Sequence, residues 1–315
     1  MIDYILRYIT YSSYTMKIDT LVLSGGGPSG IAYPTIFKAL YEHDILTPEL
    51  SEIREMIVTS AGIIMAYCLL LHMENNAIHE FIQRFDLSSS LQLEDVSIDG
   101  LLFEGGLFET SAVKNIIRSL TRNILHKDDI TLHELYLHTP ITLTVKVFNI
   151  TKKVYEFISH HTHPTMSIIT LAQITTAIPI LFKPIVYEGH TYCDGGIRSG
   201  YPYGHLPSPH YLGIKLNMGS REETQKDSST KDIFSEIPLI RHVLHIIQGE
   251  EAKQPFDPRI IEAKVNAGMD FNMSEDKKQS LFTNTYKRTI NHIQSHFQSH
   301  IQSHIQDEWS KNTEE

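Results

Sequence analysis

Leu21-Val22-Leu23-Ser24-Gly25-Gly26-Gly27-Pro28-Ser29-Gly30 runs from an apolar, strand-like segment through three consecutive glycines towards a helix-like run. Glycines after a strand let backbone N–H groups point at an anion, helped by the dipole of the following helix. No Lys-Ser/Thr pair closes the loop, so it is not a nucleotide P-loop. Gly25, Gly27 and Gly30 fit G-x-G-x-x-G literally, which makes a dinucleotide turn a competing reading. The acidic residue that reading needs would be Glu49 or Glu52, and neither ends a convincing strand.

The pattern returns at Ile57-Val58-Thr59-Ser60-Ala61-Gly62. Ile53 to Val58 reads as a strand, and Ala61 to His72 as an almost wholly apolar, buried helix. Two strand–turn–helix units in succession imply parallel strands in a layered α/β domain. A serine on such a turn is exposed and becomes a nucleophile if a base and oxyanion donors are present. The same position also suits a helix N-cap. Far downstream, Cys193-Asp194-Gly195-Gly196 sets a carboxylate at a tight bend, or forms a plain Asx turn. An anion-binding loop, an exposed serine and a carboxylate are the minimum kit for hydrolysing an ester through an acyl-serine.

Further strands are expected at Ile141 to Phe148, where Thr142, Thr144 and Lys146 alternate with Leu143, Val145 and Val147, and at its hairpin partner Lys153 to Ile158. Ser167 to Ala177 reads as a helix, Ile185 to Tyr187 with Thr191 to Cys193 as a short hairpin, and Tyr211 to Leu216 as a strand. Residues 219–231 are polar and read as an exposed loop or disorder. The tail repeats His-Ile/Phe-Gln-Ser from His292, each copy drifting about 40° around a helix. It reads as a metal- or pH-sensitive face or, more blandly, as a solvated helix.

The chain has 315 residues, is 41% hydrophobic and carries a formal charge of −10. Such a balance argues against a general nucleic-acid binder. Only Cys68 and Cys193 are present, without metal-ligand spacing, which points to a reducing, cytoplasmic compartment. The longest apolar stretch, Ile63 to Leu71, is too short to span a bilayer, and the N-terminus is a poor secretory signal. If the protein meets lipid, it does so from the surface.

In order and spacing, the three turns resemble the patatin-like phospholipase family. Leu23 to Gly30 is similar to its oxyanion loop, Thr59-Ser60-Ala61-Gly62 to its nucleophile turn, and Asp194-Gly195-Gly196 to its aspartate turn. Thr176-Ala177-Ile178-Pro179 resembles the Ala-Ile-Pro segment upstream of that aspartate. The resemblance implies a three-layer α/β/α fold with a mainly parallel sheet over residues 17–216. Residues 1–16 would be an N-terminal extension and 217–315 a helical C-terminal one. It implies a Ser–Asp dyad that hydrolyses phospholipid or lysophospholipid esters. Ser60 would attack, Asp194 would accept the proton, and the amides of Gly25, Gly26 and Gly27 would hold the oxyanion. Gly30, Gly62, Gly195 and Gly196 would support the turns. The chemistry calls for no metal or other cofactor, since backbone amides act as the electrophile. Lys183, Arg198 and Lys215 are candidate phosphate contacts. Two positions depart from the family pattern: Val58 stands where the elbow usually has glycine, and Ser29 where the glycine loop usually has a basic residue.

Two rival readings remain at this point. A Ser–Asp–His triad would take His205 or His210, although 18 histidines make one nearby unsurprising. A non-catalytic lipid- or protein-binding module would keep the fold without turnover.

Overall fold

A computed structural model describes residues 18–84, 103–217, 255–265, 270 and 273–297. The N-terminal extension, the polar stretch 219–231 and most of the histidine repeat lie outside these residues.

The chain begins with β1 (Thr20–Leu23), a short 3-10 helix (Gly27–Ala32), α1 (Tyr33–Glu42), β2 (Glu55–Thr59) and α2 (Gly62–Leu70). It continues through α3 (Asn75–Arg84), β3 (Gly106–Phe108), α4 (Ser111–Leu125), α5 (Leu132–His138), β4 (Thr142–Asn149) and β5 (Val154–Ile158). Next come α6 (Ile168–Thr176), β6 (Ile180–Phe182), β7 (Ile185–Tyr187), β8 (His190–Asp194) and β9 (Tyr211–Asn217). β10 (Ile260–Lys264) and α7 (Glu275–His292) close the described fold. None of the described helices is long and apolar enough to cross a membrane.

The main sheet has the order β10-β9-β1-β2-β4-β8-β7, with β5 also on β4. β10, β9, β1, β2 and β4 run parallel. Strands covered on both faces read as continuous apolar runs, and all of β1 is buried. Leu21, Leu23, Met56, Val58, Leu143, Val145 and Val147 face the helices in one large core. Val22, Ile57, Tyr211 and Ile260 face the other way, beneath Tyr201 and Tyr203.

The C-terminal segment is not wholly helical, as the sequence suggested. β10 extends the sheet in parallel register with β9, pairing Ile261 with Ile214. α7 lays Leu281 and Phe282 into the same core as α1. The sheet therefore runs past residue 216, with β10 rather than β9 at its edge.

One register step positions the site. β2 pairs with β4 up to Thr59↔Lys146, and β8 pairs with β4 starting at Val147↔Asp194. β5 occupies the opposite edge of β4 across 145–149. β8 therefore takes over the β4 edge where β2 leaves it, and the end of β8 meets the end of β2.

Candidate active site

Ser60 sits between β2 and α2 with φ +51°, a left-handed conformation that a side-chain-bearing residue adopts only at a cost. It is not the helix cap: Ala61 is, and no side chain caps that end. Gly62 explains the tightness of the turn. A Cβ there would lie 2.8 Å from the Leu23 carbonyl oxygen and 2.9 Å from that of Ser24. Only glycine lets α2 begin so close to β1. Val58 needs no glycine, because it is an ordinary strand residue packed in the core, two positions before the strained one.

The Ser60 hydroxyl donates to Asp194 Oδ2 at 2.6 Å. The Gly196 amide donates to Asp194 Oδ1, also at 2.6 Å. Gly195 must be glycine, since a Cβ would come within 2.3 Å of the Lys146 carbonyl oxygen on β4. Burial pushes the Asp194 carboxyl up to about 6, opposed by the Ser60 and Gly196 hydrogen bonds and the Lys146 charge. Neither candidate histidine bonds to this carboxylate. His205 stacks on Phe157 at 4.3 Å, and the His210 amide donates to Ser208.

The glycine loop lies against the same point. A Cβ on Gly25 would sit 2.8 Å from Ser60 Cβ. The Gly25 amide, however, donates to the Gly200 carbonyl at 2.8 Å. The expectation that Gly25 supplies an oxyanion amide is therefore not met: its N–H is spent, and its part is steric. Among the described residues the Gly26 and Gly27 amides have no acceptor, and Gly27 takes φ +49° at the start of the 3-10 helix. Ser29 is buried, and its hydroxyl has no partner among the described residues.

Sequence reasoning overlooked several supporting residues. Thr175 Oγ1 accepts the Ser60 amide at 2.9 Å and donates to the Lys146 carbonyl at 3.0 Å. Ser24 Oγ donates to the Gly25 carbonyl and accepts the Leu216 amide at 2.8 Å, fixing the glycine loop to β9. Lys146, expected on a polar strand face, is buried and donates to the Ser199 carbonyl. The alternation placed Lys146 on its face correctly but could not reveal what covers that face.

The phosphate candidates fare differently. Lys183 is committed to Glu104 and Glu109 rather than open to an anion. Lys215 packs over the Tyr203 ring, 5.4 Å from its centroid. Arg198 is exposed on the turn after Asp194. His292 and His296 bring their rings to 4.8 Å, but among the described residues no group of three or more ligands could hold a metal.

Fold and site together define an α/β/α protein that points a strained serine at a buried aspartate beside a glycine loop. The family model for patatin-like phospholipases matches residues 21–206, and this chain belongs to that family. It is 30% identical over 202 residues to the "Probable lipid hydrolase 463L" of Invertebrate iridescent virus 6, covering 62% of this chain and 67% of that protein. The fold is similar to that of VipD from Legionella pneumophila, with TM-score 0.57 and 20% identity over 89% of this chain and 67% of that one. It is also similar to ExoU, solved in complex with SpcU from the type III secretion system of Pseudomonas aeruginosa. There the TM-score is 0.53 and the identity 17%, over 90% of this chain and about half (52%) of that one. Family and viral relative together support a lipid hydrolase.

Proposed function

We propose that this protein hydrolyses carboxylic esters of phospholipids or lysophospholipids through a Ser60–Asp194 dyad and an acyl-serine intermediate. The observation that carries the reading is the 2.6 Å hydrogen bond from the Ser60 hydroxyl to Asp194 Oδ2. A base must lie within hydrogen-bond reach of the proton it takes, and its pKa should lie near the working pH. Asp194, pushed up to about 6, meets both demands.

In this mechanism Ser60 Oγ attacks the ester carbonyl carbon while its proton passes to Asp194. The carbonyl oxygen becomes the oxyanion, facing the Gly26 and Gly27 amides. Collapse breaks the ester C–O bond, and the leaving alkoxide takes the proton from Asp194. Water then gives a proton to Asp194 and its hydroxyl to the acyl carbon, and Ser60 recovers its proton as the fatty acid leaves. Donors fixed in advance stabilise such an oxyanion without reorganising. The substrate would be met at a membrane surface by a peripheral, cytoplasmic protein, and the exposed Arg198 remains the candidate contact for a lipid phosphate.

A fluorophosphonate probe tests the reading. Wild type should be labelled at Ser60 and should release fatty acid from mixed phospholipid vesicles. Ser60→Ala and Asp194→Ala should lose hydrolysis by at least about a thousandfold. A wild-type protein that binds vesicles but is neither labelled nor active would favour the rival reading, a binding module on the same fold.

A further inference from the structure

Lys146 is only 5% exposed, in the middle of the sheet. A buried ammonium is costly unless hydrogen bonds and negative charge surround it. Its Nζ donates to the Ser199 carbonyl at 3.1 Å and lies 4.5 Å from the Tyr155 ring centroid, a cation–π distance. These contacts place it beneath the 196–200 turn, where the parts of the site converge. Gly196 gives its amide to Asp194 Oδ1, and Gly200 gives its carbonyl to the Gly25 amide. The Lys146 backbone carbonyl holds Thr175, which holds the Ser60 amide. One residue therefore touches the supports of the nucleophile, the carboxylate and the glycine loop.

We propose that Lys146 is a positioning residue of the dyad: its buried ammonium pins the 196–200 turn, whose Gly196 amide holds the Asp194 carboxylate opposite Ser60. The inference rests on the reading of Ser60 and Asp194 as a hydrolytic pair. The groups facing Asp194 are the Ser60 hydroxyl, the Gly196 amide, the Lys146 ammonium from β4, the Cys193 thiol from β8 and the Tyr155 hydroxyl from β5. Arg198, exposed beyond the turn, acts on Tyr155. Burial opposes the ionised form of Asp194, while the Ser60 and Gly196 hydrogen bonds and then the Lys146 charge favour it.

The test is the pH dependence of fluorophosphonate labelling at Ser60 in the full chain. Lys146→Met should move the acid limb of the labelling rate to higher pH, through the lost charge and the loosened Gly196 hydrogen bond. Lys146→Arg should leave the limb where wild type has it. A purely structural role would lower the rate without moving the limb, and that result overturns the proposal. Should Lys146→Met fail to fold, a second measurement uses wild type alone. The 15N resonance of the Lys146 ammonium, assigned by its loss in Lys146→Arg, should step as Asp194 titrates near pH 6. The step should vanish in Asp194→Asn, and its absence in wild type overturns the proposal. Failure of wild type to label sinks the hydrolase reading instead, and the NMR arm still decides the role of Lys146.

Discussion

The backbone amide of Ser60 donates to the Thr175 hydroxyl, joining the tight turn after β2 to the last turn of α6. Thr175 is fully buried, so no water replaces it. Thr175→Val keeps the shape and removes the acceptor. A buried amide left unpaired costs about 1–3 kcal/mol. The variant should unfold at correspondingly lower denaturant and label at Ser60 about tenfold more slowly or worse, and Thr175→Ser should restore both.

Gly25 packs directly against Ser60. A methyl there would lie 2.8 Å from Ser60 Cβ, closer than real carbon atoms approach. Gly25→Ala should therefore displace Ser60 or the loop. Small misplacements at a reacting centre cost roughly a hundredfold. Hydrolysis should fall by about that factor while the unfolding midpoint changes little. A variant with wild-type kcat/KM would show that Gly25 does not set the geometry.

The raised pKa of Asp194 predicts two opposite pH profiles. Activity needs the carboxylate, so kcat/KM should fall below about pH 6. Stability runs the other way. The folded value lies above that of an unfolded aspartate, so folding penalises the ionised form. The penalty is full above about pH 6 and relieved as pH falls towards 4. Asp194→Asn should thus be inactive yet more stable at pH 8, by on the order of 3 kcal/mol. That advantage should fade near pH 4 in chemical denaturation.

Tyr201 and Gly213 form a separate test in the second core. A Cβ on Gly213 would lie 2.1 Å from the Tyr201 hydroxyl oxygen, which is buried and has no partner among the described residues. Gly213→Ala should destabilise by about 1–3 kcal/mol through overpacking. Tyr201→Phe removes an unsatisfied buried oxygen and should be neutral or stabilising. Combined, the two should cost less than their sum, a coupling measurable in a double-mutant cycle.

How much of this was legible in the sequence follows from which contacts are local. β2 and α2 were read within two residues of their ends, because apolar runs broken by glycine or serine mark strand–turn–helix units. Asp194 was legible as a turn residue only in company with the other two turns. β10 was missed: five residues of mixed polarity at the sheet edge carry little pattern. Thr175 and Lys146 were read as ordinary members of a helix and a strand. Their burial and partners come from elements far away in sequence, which periodicity does not encode. The Gly25 amide was misassigned for the same reason, since Gly200 consumes it from across the site.

The change of partners along β4 has an evolutionary consequence. Ser60 and Asp194 stand 134 positions apart, yet their meeting is set by two adjacent rungs, Thr59↔Lys146 and Val147↔Asp194. Apart from β4 and the Thr175 contact, described segments between them lie off those two rungs. Insertions or deletions in such segments would leave the Ser60–Asp194 distance unchanged. A lineage could therefore change chain length there while the two rungs keep the serine and the aspartate in register.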